Sequence, residues 1–432
     1  MARVLLVLPT STYRAHDFLA AARKLGVEAA VASDERQAMA DAAGDGALEV
    51  DLDAPEHAAA RIEELARRRP LDAVVAVDEQ GVRTAALATE RLGLRGNPPG
   101  AAAAARDKRR MRAALGAAGV PQPAWRALEP GQDPAAAATE IGFPMVIKAV
   151  GLSGSRGVIR ADDADEAHCA AARVRAIAAG TGTEAAARGG AGVEGAEPAG
   201  GDPPPTLLVE GYVPGGEVAV EGLLTDGRLE VLAVFDKPDP LEGPYFEETI
   251  YVTPSRLPAP VLGTIERTCA AAATALGLRE GPVHAELRVD GDSAWVLEVA
   301  ARPIGGLCSR VLRFGLGASL EEVILRHALG RPLEGMARQP GGAGVMMLPI
   351  PGEGVLREVR GREAALAVPG VKGLEITIPP GRTVRPLPEG DRYLGFLFAR
   401  GAGPAEAEAA LRAAHARLEV VLEPVRQPTL GA

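Results

Sequence analysis

The sequence predicts an α/β domain at the N-terminus followed by α+β lobes. Two observations predict this fold class. Apolar strands alternate with helices over residues 1–97, whereas the later part of the chain contains strand pairs joined by short turns such as Asp290-Gly291. The 432 residues are enough for two to four domains.

The first predicted domain covers residues 1–97. "RVLLVL" (Arg3–Leu8) has the composition of a fully buried strand, and "FLAAARKLGVEAAVAS" continues as a helix, a stop at Gly26 and a second strand. Another buried strand, "LDAVVAVDEQG" (71–81), precedes the helical stretch "VRTAALATERLGL". Strands that alternate with helices pair in parallel, so we expect a doubly wound parallel sheet that ends at "RGNPPG".

The second predicted domain, residues 98–212, is a small α+β lobe. Residues 101–119 are expected to form one helix, and "DADEAHCAAARVRAIAA" another. Residues 178–206 are rich in Gly, Ala, Glu and Pro and hold a single large apolar residue. Such a segment cannot bury enough apolar surface to offset its ordering entropy, so we predict a disordered insertion there.

The remaining chain is expected to form a larger α+β lobe, residues 213–338, and a small α+β cap, residues 339–432. In the larger lobe the apolar pattern predicts strands at 217–224, 229–235, 283–289 and 294–300, and helices at 259–278 and 320–330. The cap contains short strands such as "LEITI" and "LGFLFAR". Its final helix is predicted from the helical spacing of Leu411, Ala414, Leu418 and Val421.

Composition excludes several classes of function. With 57 acidic and 47 basic residues the net charge is −10, which argues against a nucleic-acid surface. Three widely spaced cysteines form no CxxC pair and favour a reducing cytoplasm. The N-terminus lacks the features of a secretory signal, and no apolar run approaches the roughly 18 residues of a membrane span.

A predicted hairpin carries the strongest chemical signal. In "GPVHAELRVDGDSAWVLEVAARPIGG" (281–306), alternation places His284 and Glu286 on one strand face and Glu298 on a face of the next strand. A three-residue loop, Asp290–Asp292, would put Glu298 opposite His284 and diagonal to Glu286. Two carboxylates at such a short distance repel each other unless a cation lies between them. Because the ligand atoms would all be oxygens, the expected cation is Mg²⁺. The alternative is a pair of solvated strand carboxylates.

A lysine inside an apolar strand carries the second signal. Lys148 follows Met145, Val146 and Ile147, and a loop rich in Gly and Ser comes after it. A buried lysine must meet an anion or reach water, and main-chain N–H groups of such loops suit phosphate. Lys108, in "ARDKRRMR", is a weaker candidate, because helix-surface lysines are usually just solvated.

General nucleotide and hydrolase motifs are missing from the sequence. It has no Walker A motif, no GxGxxG after the first strand, no GxSxG elbow and no HExxH. In "LLVEGYVPGGEVAVEG" (207–222) a strand ends at Glu210, and Glu217 opens the next strand. Main chain at such a bend can meet an adenine edge and a carboxylate can accept from ribose, although an ordinary turn is the alternative.

The order of these features along the chain resembles that of the ATP-grasp superfamily. The features are the helix lysine, the strand lysine, the Gly-rich loop, the Glu-containing hinge and the Glu pair followed by Arg302. The stretches "VHAEL…LEVAARPIGG" and "YLGFLFARG…AEAEAALRAAHARLEVVLE" are similar to the L-amino-acid ligase and carnosine synthase branch. The resemblance covers nearly the whole chain apart from 178–206. It implies an N-terminal domain, two ATP-grasp lobes and a C-terminal cap, matching the four segments above.

The resemblance implies a role for each matched residue. Glu286 and Glu298 would hold Mg²⁺, with Mn²⁺ as an alternative, and Arg302 would stabilise the negative charge of the acyl phosphate. Glu210 and main chain near Val213 would meet adenine, and Glu217 the ribose. The ATP-binding residues it implies are Lys108, Lys148, Ser153, Gly154, Ser155, Gly157, Glu210, Tyr212, Val213 and Glu217.

Three further points concern the metal and the substrates. Many family members have Asn two residues after the second Glu, where this chain has Ala300, which leaves the number of metals open. Lys237 is expected to add to the phosphate site, while Glu247 or Glu248 could hold a substrate ammonium, with a solvated loop as the alternative. His284 shares the face of Glu286 and is a further substrate candidate.

The predicted function is an ATP-dependent ligase that activates a carboxylate as an acyl phosphate and joins it to an amine, giving an amide or dipeptide, ADP and phosphate. Small molecules are the expected partners, without nucleic acid or membrane, and family analogy favours a homodimer. A biotin-carboxylase-type enzyme that activates bicarbonate is one alternative. A nucleotide-binding protein without catalysis is another.

Overall fold

The computed structural model describes residues 1–35, 46–180 and 205–425. The predicted insertion, residues 178–206, lies outside the described residues over 181–204. Within the described part of the chain, every helix is too short or too polar to cross a lipid bilayer.

A parallel four-stranded sheet with the order β3-β2-β1-β4 forms the N-terminal part. Alternate residues of its central strand enter two cores: Val4 and Leu6 pack with α1, whereas Leu5 and Val7 pack with α2 and α3. The doubly wound sheet is therefore confirmed. Its elements are β1 (Arg3–Val7), α1 (Ala15–Lys24), β2 (Glu28–Ser33), β3 (Ala47–Glu49), α2 (Pro55–Arg68), β4 (Ala73–Ala76) and α3 (Val82–Leu92).

The predicted helix over 101–119 is wrong in one respect, because it is two helices. α4 (Pro99–Arg106) ends at Asp107, whose extended main chain starts α5 (Lys108–Ala117). The Asp107 carboxylate accepts from the N–H groups of Arg109 and Arg110, which is the usual N-cap arrangement. This break places Lys108 in the first turn of α5.

An antiparallel four-stranded sheet with the order β5-β8-β6-β7, covered by α7, follows and is called the small lobe below. On β6, Met145 and Ile147 face the core under α7, so Val146 and Lys148 face the opposite side. The elements are β5 (Trp125–Leu128), α6 (Ala138–Ile141), β6 (Met145–Ala149), β7 (Val158–Ala161), α7 (Ala164–Ala178) and β8 (Leu207–Gly211).

An eight-stranded antiparallel sheet, called the long sheet, has the order β13-β12-β9-β10-β11-β14-β18-β16. It runs across the proposed boundary at 338, because β11 pairs with β14 of the cap. Its elements are β9 (Gly216–Thr225), β10 (Arg228–Lys237), β11 (Ile250–Thr253), α8 (Ala259–Leu276), β12 (Gly281–Asp290), β13 (Ser293–Ala300), α9 (Leu320–Ala328), β14 (Gly342–Leu348), β16 (Val371–Ile376) and β18 (Gly395–Gly401).

A three-stranded sheet of order β17-β15-β19 completes the C-terminal part. The predicted last helix is partly wrong: α11 ends at His415, and Val421 lies on a strand that pairs with Val359 and its neighbours. Apolar residues at 411 and 414 face the core, as expected. The elements are β15 (Gly354–Arg360), α10 (Arg362–Leu366), β17 (Thr383–Val384), α11 (Pro404–His415) and β19 (Glu419–Glu423).

Candidate active site

A cleft of about 700 Å³ lies where the N-terminal sheet, the small lobe, the long sheet and the cap meet. All the residues predicted to form the site line it except Gly157 and Lys237. The predicted residues that line it are Lys108, Lys148, Ser153, Gly154, Ser155, Glu210, Tyr212, Val213, Glu217, Glu247, Glu248, His284, Glu286, Glu298 and Arg302.

The hairpin β12–β13 places two carboxylates side by side in the cleft. Glu286 lies directly opposite Glu298, and His284 lies opposite Ala300. The predicted pairing of Glu298 with His284 is therefore wrong, and so is the three-residue loop, because Asp290 pairs with Ser293.

A β-bulge explains why the carboxylates still share a face. Leu287 pairs with Val296 while Glu286 pairs with Glu298, so Leu297 is the extra residue. A two-residue turn alone would have turned Glu298 to the other face, since side chains alternate along a strand. The bulge, and not a three-residue loop, thus brings Glu298 to the strand face of Glu286.

A buried lysine behind the hairpin contacts Glu286 and two further carboxylates. The Lys237 ammonium lies 2.6 Å from Glu217 Oε1 and 3.3 Å from Glu286 Oε1, and it also bonds Glu248. Burial by itself would lower the pKa of Lys237, but these carboxylates raise it well above its usual value. Arg288 adds a second cation at Glu217.

These contacts revise two expectations. Lys237 was expected at the phosphate, but its ammonium is enclosed by carboxylates and does not line the cleft. Glu217 was expected at the ribose, and it does line the cleft, although Lys237 and Arg288 engage both of its oxygens.

The carboxylates fit a divalent cation of the hard type. Ligand oxygens of Glu217, Glu248 and Glu286 lie within 4.8 Å of one another, and Glu298 faces Glu286 across the hairpin. Oxygen-only donors of this kind suit Mg²⁺. The Ala300 side chain offers no ligand atom, and the neighbouring His284 imidazole approaches Glu286 Oε1 at 3.5 Å.

Lys148 faces the cleft and is anchored there by a buried carboxylate. Its ammonium lies 2.7 Å from Glu210 Oε2, and Arg112 Nε donates to Glu210 Oε1 at 2.6 Å. Burial would raise the pKa of Glu210, but the two cations lower it to about 2. Burial lowers the pKa of Lys148. The Glu210 carboxylate, expected at adenine, thus positions Lys148.

Lys108 connects α5 with both the loop and the hairpin. Its ammonium donates to the Leu152 carbonyl oxygen at 2.6 Å and lies 3.5 Å from Glu298 Oε2. The side chain is nearly buried, with 7 % of its surface exposed, so the solvated-helix alternative does not apply.

The glycine-rich loop, residues 151–157, has left-handed main chain at three of its residues. Gly154 and Gly157 have φ values of +65° and +63°, and Ser155 between them is also left-handed at 57°. Glycine adopts this conformation at low cost, and loops that contain left-handed residues can present main-chain N–H groups to an anion. Arg156 lines the cleft, and its Nε is buried without a hydrogen-bond partner among the described residues.

Arg302 is held at the cleft by the N-terminal sheet. Its Nε donates to Glu79 Oε2 at 3.0 Å, and Glu79 follows the carboxyl end of β4. Burial would lower the pKa of Arg302, but Glu79 and Glu298 raise it further above its already high value. The guanidinium is therefore fixed and permanently charged beside the Glu286–Glu298 pair.

His284 is enclosed by acids on both sides. Its Nδ1 lies 3.3 Å from Glu221 Oε2, which is fully buried and accepts from the Ile304 N–H. Burial would lower the pKa of His284, but Glu221 and Glu286 raise it above its usual value.

The predicted substrate glutamates lie at the cap side of the cleft. The Tyr393 hydroxyl donates to Glu248 Oε2 at 3.4 Å, and burial raises the pKa of Glu248 to about 7. Burial also raises the pKa of Glu247, which makes no hydrogen bond within the described ranges.

Family models match three parts of the chain. The model described as ATP-grasp domain matches residues 141–311. The matched stretch holds most of the small lobe and the hairpin β12–β13. An ATP-grasp N-terminal domain matches residues 19–96, and an L-amino acid ligase C-terminal domain 2 matches residues 346–423.

Two curated proteins are similar to part of the chain. The chain is 30 % identical over 256 residues to an alanine–anticapsin ligase of Bacillus subtilis, covering 59 % of this chain and 53 % of the relative. It is 31 % identical over 290 residues to carnosine synthase 1 of Gallus gallus, covering 64 % and 29 %. The chain thus spans about half, or less, of the length of these curated relatives.

Solved structures show the same fold along nearly the whole chain. An L-amino acid ligase from Bacillus licheniformis superposes with a TM-score of 0.77 at 23 % identity, covering 98 % of this chain and 99 % of the other. An N5-carboxyaminoimidazole ribonucleotide synthetase from Thermotoga maritima gives 0.69 at 18 %, covering 98 % and 100 %. The predicted ATP-grasp architecture is confirmed.

Sequence reasoning missed several residues of this ATP-grasp cleft. Arg112 was overlooked because its buried carboxylate partner is 98 residues away in the sequence. Alternation places Arg288 on the strand face of His284 and Glu286, but its ion pair with Glu217 could not be predicted from the sequence. Glu79 carried a usable signal, because a carboxylate just after a parallel strand marks the edge where ligands bind in such sheets. Arg156 lies in the loop after Lys148, but the Gly and Ser residues alone carried the prediction there.

Proposed function

We propose that the protein is an ATP-dependent ligase that activates a carboxylate as an acyl phosphate and joins it to an amine, giving an amide or dipeptide. The observation that carries the proposal is the Glu286–Glu298 pair, which lies across the hairpin with Arg302 close behind and Lys108 beside Glu298. The alanine–anticapsin ligase and the carnosine synthase are, by name, enzymes of the same reaction class.

ATP is proposed to lie between the small lobe and the long sheet. Lys148 and Lys108 contact its phosphates, because both ammonium groups are fixed at the cleft by buried partners. The N–H groups of the glycine-rich loop and the Arg156 guanidinium cover the phosphates. Main chain near Tyr212 and Val213 is proposed to meet adenine.

Mg²⁺, with Mn²⁺ as an alternative, is proposed at Glu286 and Glu298. When bound, the cation would neutralise phosphate charge and orient the transferred phosphoryl group. Lys237 stabilises the carboxylates behind it and so positions Glu286. Catalysis then depends mainly on positioning and charge neutralisation.

The reaction has two steps at one place. A substrate carboxylate oxygen attacks the γ-phosphorus, the bond to the ADP oxygen breaks, and an acyl phosphate forms. The amine nitrogen then attacks the acyl carbon, phosphate leaves, and the nitrogen loses its extra proton. Arg302, fixed by Glu79, stabilises the negative oxygens in both steps. Glu247 and Glu248 are proposed to face a substrate ammonium, with His284 beside them.

We further propose small-molecule substrates, without nucleic acid, and a cytoplasmic location with a homodimer as its assembly. The three cysteines form no disulfide, which fits a reducing compartment.

A phosphate-release screen of amino-acid pairs with Mg-ATP tests the proposal. Glu298→Gln is the inactive control, and Glu423→Gln, on the three-stranded sheet, is the matched carboxylate control. Phosphate released with bicarbonate alone would support the carboxylase alternative. Tight ATP binding without ADP formation in any mixture would support a protein without catalysis.

A further inference from the structure

A segment of the cap reaches the small lobe across one side of the cleft. This segment, residues 385–393, connects β17 with β18 and is called the strap below. Seven of its nine residues line the cleft: Arg385, Pro386, Leu387, Gly390, Asp391, Arg392 and Tyr393. The other two, Pro388 and Glu389, contact the small lobe.

The first strap contact is with the end of the glycine-rich loop. The Gly157 N–H donates to the Pro388 carbonyl oxygen at 3.1 Å. Gly157 is left-handed and leads directly into β7, so its position decides how the loop leaves the sheet. The strap therefore holds the last residue of the loop.

The second strap contact is an ion pair with two hydrogen bonds. Arg173, on α7, donates from Nε to Glu389 Oε1 at 2.5 Å and from Nη2 to Oε2 at 2.9 Å. The same guanidinium bonds the Tyr245 hydroxyl and lies 5.0 Å from its ring centroid. One arginine thus joins the small lobe to the strap and to the segment before β11.

The far end of the strap is fixed to the long sheet. Tyr393 bonds Glu248, and its ring packs edge-on against Phe396 of β18 at 6.0 Å between centroids. Phe396 is fully buried. These contacts join the strap to the long sheet at one end, while Pro388 and Glu389 join it to the small lobe.

We propose that Glu389 is a positioning residue for ATP, acting through Arg173 and the Pro388 carbonyl to hold the glycine-rich loop over the cleft. The inference rests on the proposed function, because it takes this loop as the cover of the ATP phosphates. A loop already held in place loses less freedom when ATP binds, so the affinity for ATP is higher.

Proteolysis tests the strap without any ligand. Arg156 gives trypsin a cleavage site inside the loop, and cleavage requires the loop to open locally. In Glu389→Gln we expect the peptide ending at Arg156 to appear about three- to fivefold faster than in the wild type, the size expected for a partly exposed ion pair. The control is Glu423→Gln, which breaks the exposed Arg357–Glu423 pair between β15 and β19 and should leave this rate unchanged.

ATP binding tests the consequence for the site. By titration calorimetry with MgATP, Glu389→Gln raises the Kd about three- to fivefold, and in turnover assays the KM for ATP rises while kcat changes less than twofold. Arg173→Lys keeps the charge but loses the second hydrogen bond, so its Kd for MgATP should lie between those of the wild type and Glu389→Gln. The exchange of Arg173→Glu with Glu389→Arg restores both the cleavage rate and the Kd.

Two results would overturn the inference: cleavage and ATP affinity in Glu389→Gln equal to the wild type, or an exchanged pair that behaves no better than the single variant. A failure of the proposed function has a different signature. If no amine is ligated, ATP binding and proteolysis still report on the strap, and if the wild type binds no ATP, the cleavage comparison alone decides.

Discussion

The buried Glu210 carboxylate should be one of the main electrostatic supports of the small lobe. It lies between Arg112 and Lys148, with 2 % of its surface exposed. Its pKa falls from 4.5 to about 2, which at about 1.4 kcal/mol per pH unit corresponds to about 3 kcal/mol of stability. Glu210→Gln should lose that amount at pH 7, since it leaves two buried cations without their anion.

The pH dependence gives the same prediction a second test. A carboxyl whose pKa is lower in the folded chain stabilises the fold above its unfolded value of 4.5 and loses this effect as the pH falls toward 2. The difference in unfolding free energy between the wild type and Glu210→Gln should therefore be full at pH 6–7 and shrink below about pH 4.5.

Tryptophan fluorescence provides a local assay. Trp125 on β5 pairs directly with Glu210, and the only other tryptophan is Trp295. In a Trp295→Phe background, urea unfolding then reports on the small lobe. The control Glu129→Gln removes an exposed partner of Arg109 in the same lobe and should cost less than about 1 kcal/mol. A Glu210→Gln midpoint as close to the wild type as that of Glu129→Gln would refute the reasoning.

Three further predictions concern the cleft. Glu298→Gln should reduce phosphate release at least a hundredfold, and turnover equal to the wild type would remove the metal assignment. Arg302→Lys should lower kcat about a hundredfold or more with little change in melting temperature. The reason is that a lysine cannot both keep the contact with Glu79 and place its charge where the guanidinium lies. An unchanged kcat would exclude a role of Arg302 in stabilising the negative oxygens. Lys237→Met removes the ammonium shared by three carboxylates within 4.8 Å, and Arg288 then pairs with Glu217 alone. Its melting temperature should therefore be lower and should rise more with added Mg²⁺ than that of the wild type, and equal rises would contradict this.

Local patterns in the sequence predicted the strands that build the site. The alternation of apolar residues placed β9, β10, β12 and β13 within a few residues of their observed ends. It also placed Glu286 and Glu298 on one face, although through the wrong loop. Period-two alternation depends only on neighbours along the chain, which explains this success.

Long-range pairing accounts for most of what the sequence did not predict. Val421 fits a helical spacing, yet it lies on a strand because β15, some sixty residues earlier, offers a partner. The Lys148–Glu210 contact joins residues 62 positions apart, and no local pattern reports it. The break at Asp107 is different, since an aspartate before a helical stretch is a recognisable N-cap that a run of alanines concealed.

The long sheet limits how this chain can be divided. Removing the residues after 338 would strip β14 from β11 and expose the hydrogen-bonding edge of β11 to water. Bare edges of this kind recruit strands from other molecules, so such a truncated chain should aggregate. For the same reason, a cap grafted from a similar protein must bring a strand that pairs with β11 in the same register. An exchange of caps therefore has to restore the long sheet before any other property of the cap can be compared.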